Sequence, residues 1–406
     1  MRLRPNSLAL TTVLAFMTGA GPLSVDMYLP SMPAIARELG TDPAHVQLTL
    51  SAFLAGFAVG QFYYGPLSDR FGRKPVLLSA LALYVLASAG CAFAHSIELL
   101  ILARFLQAVA ACGPIVIARA IVRDLYEGPR AGREMARMGI IMGVVPAIAP
   151  VLGGFLHDLA GWRSIFAVMM VLGSGLAYVI ATAMPETLKA RSIHGVSPIG
   201  ILRSFGGLVK SPVYRAYVAL VTLVYAGLFC FISASSFILQ GVYHLSEIGF
   251  ALTFALNVLG FVAGSLLASR FAMSRGLDST IAVGIPLIVI GSLAMLLWVM
   301  FGSGSAAEVV VPAMVYMAGV GLIMPQALAA AMTPFPDRAG AASSCLGVTQ
   351  MTFSALVGAG IGATLGDSAL PLPLAMSAVA LLAALVFIGS RRRSRRAADE
   401  GREPRP

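Results

Sequence analysis

Apolar, charge-free runs of about 18 residues or more recur along the whole chain, long enough for a helix to cross the hydrocarbon of a bilayer. Of its 406 residues, 58% are hydrophobic and only 11% charged, and mean hydropathy is +0.87. Soluble domains carry about 25% charged residues, so the composition excludes an ordinary globular protein. The strand alternation of an outer-membrane barrel is absent. The start, MRLRPNS before an apolar run, looks like a leader, but no convincing small-residue cleavage site follows it. Cys91, Cys112, Cys230 and Cys345 fall singly inside apolar runs, where they read as small buried hydrophobes. No zinc, P-loop, Rossmann or nucleophile-elbow pattern stands in an interpretable context, so neither a metal nor an organic cofactor is expected.

Hydropathy predicts twelve spans, at roughly 8–36, 44–66, 75–95, 97–122, 134–158, 163–184, 212–238, 246–272, 278–301, 307–332, 339–365 and 369–390. The expected organisation is a six-helix bundle over 1–184, a polar linker over 185–211, a second six-helix bundle over 212–390 and a basic tail over 391–406. With both termini in the cytoplasm, nearly all of the 28 Lys and Arg fall on the inner side, leaving Arg37 and Arg163 outside and Arg104 within a span. That asymmetry accounts for the net charge of +10 without invoking nucleic acid. The tail RRRSRRAADEGREPRP is expected to meet anionic lipid or water. A faint internal repeat supports two halves. Ser68-Asp69-Arg70-Phe71 after span 2 aligns with Ala268-Ser269-Arg270-Phe271 after span 8.

Gly65-Pro66-Leu67-Ser68-Asp69-Arg70-Phe71-Gly72-Arg73-Lys74 resembles the loop 2–3 signature of the major facilitator superfamily. DMYLPSMP in span 1, QLTLSAFLAGFAVGQ in span 2, VRDLY after span 4 and FPDRAGAASSCLG before span 11 narrow the resemblance to its Bcr/CflA drug-resistance branch of proton-coupled exporters. The resemblance covers all but the tail, and implies an all-α membrane protein of two pseudo-symmetric six-helix bundles. Two departures stand out. The span 5 antiporter signature keeps Pro146, Pro150, Gly153 and Gly154 as a kink motif, but Ala149 and Val145 replace usual glycines. Ala108 replaces the glycine that usually follows Gln107 in span 4.

Asp26 is the only carboxylate deep in a span on these boundaries, roughly 6 Å outward of the span midpoint at 1.5 Å per residue. It shares a helix face with Gly19, Pro22, Pro30 and Pro33, a narrow and kinked face unlike the Leu/Val faces around it. An acid there either binds and releases a proton or serves packing; burial favours its neutral form and a nearby cation its charged form. Arg104, seven residues into span 4, is the expected counter-charge, directly or through water; the other course open to it is to extend to the outer surface. By resemblance, Gly65, Asp69, Arg70, Gly72 and Arg73 form a cytoplasmic latch. In it Asp69 caps the start of span 11 and meets Arg119 or Arg123, with Gly65 and Gly72 allowing a tight loop; topological charge alone is the competing reading.

Candidate substrate contacts in the first half are Tyr28, Phe53, Phe57, Gln61 and Gln107. In the second half they are Tyr225, Phe229, Phe237 and Asn257. An apolar, aromatic cavity with few polar groups suits amphipathic drugs, although aromatics at helical spacing also serve packing. The expected function is proton-driven export of small drugs of bicyclomycin or chloramphenicol type by alternating access, with the proton as coupling ion and no enzymatic step. The expected setting is a bacterial inner membrane, with drug, protons and lipid as partners and the chain as a monomer. Alternatives are export of a natural metabolite such as an amino acid or sugar, and proton-coupled uptake.

Overall fold

A computed structural model describes residues 7–126, 128–188, 198–335, 338–364, 366 and 368–399. The expectations for linker residues 189–197 and tail residues 400–406 lie outside the described residues. Among the described residues, twelve helical segments are long and apolar enough to cross a membrane, which agrees with the hydropathy reading.

The chain divides into two compact units, Met1–Ser197 with Ser246–Ala255 and Pro198–Leu245 with Leu256–Pro406. The first contains α1 (Leu8–Asp26), α2 (Met32–Glu38), α3 (Pro43–Phe71), α4 (Arg73–Ala92), α5 (Ile97–Leu125), α6 (Gly128–Ala160) and α7 (Arg163–Ala183). The second contains α8 (Pro198–Val209), α9 (Pro212–Phe237), most of α10 (Glu247–Arg275), α11 (Leu277–Phe301), α12 (Ala307–Met332), α13 (Ala339–Gly362) and α14 (Pro371–Asp399).

Span 1 is not the single helix that hydropathy suggests. α1 ends at Asp26, a one-turn 3₁₀ segment follows at Leu29–Ser31, and α2 continues the crossing. The prolines explain the break. Pro30 and Pro33 cannot donate to an α-helical ladder, so the chain closes tighter bonds, Tyr28 N–H to Val25 C=O at 3.3 Å and Ser31 N–H to Tyr28 C=O at 3.1 Å.

Helix contact in the first unit depends on missing side chains. A Cβ at Gly56 would overlap the Phe105 carbonyl oxygen, and one at Gly60 would lie 2.6 Å from the Cys112 Cβ. α3 and α5 therefore meet backbone to backbone, the approach that small residues permit in membranes. In the second unit Tyr316 of α12 is fully buried against Gly227 of α9 and Gly291 of α11.

Two other expectations need correction. Gly65 is not in a loop: α3 runs on to Phe71, and the reversal is made at Gly72 alone, with φ +104°. Any Cβ at Gly72 would also lie 2.6 Å from a Glu186 carboxylate oxygen. The linker is not wholly irregular either, since Pro198–Val209 is helical. Ile201, Phe205 and Leu208 recur there at i, i+4 and i+7, giving the segment an apolar stripe to bury.

Candidate functional site

The break in span 1 creates the site. Where α1 ends, Met27 N–H goes to Leu23 and Val25 and Tyr28 N–H to Val25, which leaves the Ser24 carbonyl for another donor. Arg104 of α5 takes it, Nη1 donating to Ser24 O at 2.9 Å and to Gln107 Oε1 at 2.7 Å. Gln107 Nε2 in turn donates to Ser88 Oγ of α4 at 2.9 Å and approaches Met169 Sδ of α7 at 3.5 Å. The Ser24 hydroxyl bonds the Tyr84 phenol at 2.7 Å. One guanidinium thus ties the end of α1 to three other helices.

Aromatic faces enclose the same cation. The Arg104 Cζ stands 4.5 Å from the Phe53 ring centroid, 4.7 Å from Tyr28 and 5.8 Å from Phe166. Tyr28 is oriented by its hydroxyl, 2.9 Å from Thr49 Oγ1. Arg104 is 0% exposed, so it does not extend to the surface. Ring quadrupoles and charge-assisted hydrogen bonds compensate part of its desolvation. Its Nε and Nη2 are buried and have no hydrogen-bond partner among the described residues.

Asp26 is 4% exposed, and among the described residues no hydrogen bond or ion pair reaches its carboxyl. The expected direct pair with Arg104 is therefore not formed in this structure. Helix geometry gives the reason. Asp26 follows Ser24 by two residues, about 200° around the axis, so the face that offers Ser24 to Arg104 turns Asp26 away.

Just beyond Asp26 the chain is pressed against α6. A Cβ at Gly153 would overlap the Met27 carbonyl oxygen. Of the kink motif, Pro146 and Pro150 lie inside α6, and Gly153 is the residue that admits the broken segment of span 1. Farther along, Ser31 Oγ meets His157 Nδ1 at 3.0 Å, and Glu38 accepts from Trp162 Nε1 at 2.6 Å and from Arg163. Both pieces of span 1 are thus anchored, one by Arg104 and the other by α6 and α7.

The expected substrate contacts separate into groups. Tyr28, Phe53 and Gln107 are fully or almost fully buried around Arg104, so their polar atoms and rings are engaged there. Phe57 is half-buried and stacks on Phe53 at 6.4 Å, with Gln61 half-buried one turn on. In the second unit Phe229, Phe237 and Asn257 are buried and Tyr225 is half-buried. An apolar groove of about 600 Å³, bounded by Tyr63, Tyr64, Phe71 and Val76 among others, includes none of the expected contacts.

The latch residues form a different network from the one expected. Arg73, 5% exposed, donates to Asp69 Oδ1 at 2.5 Å, Ser68 Oγ at 2.7 Å and Asp124 Oδ2 at 2.9 Å. Glu186 accepts the first two amides of α4, from Arg73 at 3.0 Å and Lys74 at 3.1 Å, a carboxylate at a helix N-terminus. Arg119 and Arg123 are exposed, and no ion pair joins them to Asp69 among the described residues. Arg70 is also exposed and lies over the Phe71 ring at 5.3 Å. Sequence reasoning missed Asp124 and Glu186 as members, and, outside this network, Glu134 of α6, 8% exposed, which accepts from Thr11 and Arg137. Asp124 stands within VRDLY and Glu186 within the PETL that closes span 6, so acids at span ends were the available signal.

The comparisons with known proteins agree with this architecture. The family model of the Major Facilitator Superfamily matches residues 14–359. The chain is 33% identical over 384 residues to "Uncharacterized MFS-type transporter YdgK" of Bacillus subtilis, covering 94% of this chain and 95% of that one. It is 32% identical to the "Chloramphenicol resistance protein" of Pseudomonas aeruginosa, covering 80% and 77%. To the "Bicyclomycin resistance protein homolog" of Haemophilus influenzae it is 28% identical, covering 90% and 92%. Among solved structures, the nucleoside transporter NupG superposes with a TM-score of 0.74 at 13% identity, over 94% of this chain and 98% of that one, a likeness of fold. Twelve helices able to span a membrane, a signature at the turn after span 2 and a family match over most of its length show that this chain is a multi-pass membrane transporter, and no enzyme, of the major facilitator superfamily.

Proposed function

We propose that the protein is a proton-coupled exporter of small amphipathic drugs, working by alternating access in a bacterial inner membrane with both termini in the cytoplasm. The observation that carries the coupling is Asp26: a buried carboxyl at the break of span 1, with no partner among the described residues. An ionised carboxylate without a partner costs several kcal/mol in such surroundings, so this packing suits the neutral acid. Movement at the break that admits water to Asp26 allows the proton to leave, and closing the break requires its return. Arg104 holds the α1 side of the break through Ser24, so it acts on Asp26 by position. Drugs as substrates are supported by relatives named for resistance to bicyclomycin and chloramphenicol.

Purified protein in liposomes with an imposed pH gradient tests both parts. Wild type is expected to drive chloramphenicol or bicyclomycin against its gradient, whereas Asp26→Asn loses gradient-driven movement but still exchanges drug down its gradient. Gradient-driven transport at the wild-type rate by Asp26→Asn overturns the coupling role. If wild type moves no drug but does move an amino acid or sugar, the substrate class is wrong and the coupling remains testable with that solute.

A further inference from the structure

The helix α8 carries three kinds of surface in adjacent stripes. α8 packs against α9 and α13, and on one of its faces Leu208 is fully buried while Ile201 and Phe205 are half-buried. One position on, Leu202 and Val209 are 57% and 45% exposed. One further on, Arg203 and Lys210, the residue just past the helix, are both exposed. Residues 203, 207 and 210 share a face at i, i+4 and i+7, and the middle position is Gly207. The guanidinium of Arg338, the residue before α13, lies beside that position, its Nη1 3.7 Å from where a Gly207 Cβ would stand. Three cations from two segments therefore meet on one stripe. Among the described residues none of them is in an ion pair.

We propose that α8 and Arg338 form a binding site for the phosphate of an anionic membrane lipid. Only Lys210 and Ser211 separate α8 from Pro212, where the membrane span Pro212–Val242 begins, so the helix lies at the edge of the bilayer. An apolar stripe beside a basic one is the pattern of a helix in the interfacial plane, with Leu202 and Val209 toward acyl chains and the cations at headgroup level. A soluble phosphate would use the cations but leave the exposed leucine and valine unexplained; a lipid uses both. This site is distinct from Asp26 and does not depend on the transport reading.

The test uses purified full-length protein in mixed micelles, with retained lipid counted by native mass spectrometry. Wild type is expected to retain phosphatidylglycerol in preference to phosphatidylcholine. Arg203→Gln, Lys210→Gln and Arg338→Gln should each lower that preference about five-fold, while Arg37→Gln in the other unit leaves it unchanged. A second measurement does not depend on those variants: L202W should be quenched by phosphatidylglycerol brominated on its acyl chains. The proposal is overturned by an unchanged preference in the triple glutamine variant. Displacement of the lipid by inorganic phosphate, or failure of the brominated lipid to quench L202W, overturns it equally.

Discussion

At the scale of single residues, Arg104 has two kinds of role to separate. It is a buried cation, and it is the donor that holds a broken helix. Arg104→Ala would leave the Ser24 carbonyl and the Gln107 amide without their partner and open a gap beneath Tyr28 and Phe53. A loss of about 2–3 kcal/mol is expected, from unsatisfied polar groups and lost packing. Thermal unfolding in detergent should show it as a clear drop, with wild-type melting the result that removes Arg104 as the tie. Arg104→Lys should recover part of it, because an ammonium keeps the charge but not the planar face that lies over the Tyr28 and Phe53 rings. Ser88→Ala, which removes the acceptor beyond Gln107 and that hydroxyl's own bond to the Tyr84 carbonyl, should cost about 1 kcal/mol. Arg104 was legible in the sequence as a lone charge in a span. Its direction was not, because it depends on a carbonyl freed by a break three spans away in the chain.

At the scale of elements, the contact of span 1 with α6 yields a contrast between two glycines. Gly153→Ala would place a methyl on the Met27 carbonyl, whereas at Gly143 nothing lies within 4 Å of an added Cβ. Gly153→Ala should therefore cost about 1–3 kcal/mol through forced separation of the two segments, and transport should fall with it. Gly143→Ala should melt and transport as wild type does. Equal behaviour of the two variants would mean that the close approach at Gly153 is not what seats the break.

The start of α3 responds to pH. Asp42 caps that helix, accepting the His45 N–H at 2.8 Å, and this bond holds its carboxyl below the usual carboxylate range. A lowered value means that the stabilisation is present above the ordinary carboxylate pKa of about 4 and is lost as pH falls through the lowered one. The melting difference between wild type and Asp42→Ala should accordingly be present at neutral pH and vanish in stronger acid.

At the scale of the whole molecule, the Arg73 network decides whether the ends of α3, α4, α5 and α7 hold as one piece. Asp69 has a half-exposed side chain, whereas those of Arg73 and Asp124 are 6% and 17% exposed. Solvent screens the first pair more than the second, so Asp69→Ala should cost less than about 1 kcal/mol. Asp124→Asn, which weakens the better-buried pair, should cost about 2 kcal/mol. Thermal unfolding of the two variants orders them, and the reverse order would make Asp69 the principal anchor. Arg119 and Arg123 stand outside this network, so their neutralisation should leave its stability unchanged.

The order of residues alone sets how many times the chain crosses a membrane and to which family it belongs. Hydrocarbon admits no unpaired backbone, so each crossing must be a long apolar helix, and length and composition are local properties that need no fold to be read. It also determined that Asp26 and Arg104 are exceptional, since an ionisable group inside such a run is costly wherever it points. What those groups meet depends on how the helices pack. Pro30 and Pro33 announced a distortion, but which carbonyl was released, and that Arg104 rather than water would take it, followed from the packing of α1 against α5. The same holds for Gly72, Asp124 and Glu186, whose meeting at one point requires segments more than a hundred residues apart. A contact of that kind is a property of how helices pack, and a hydropathy pattern specifies one helix at a time.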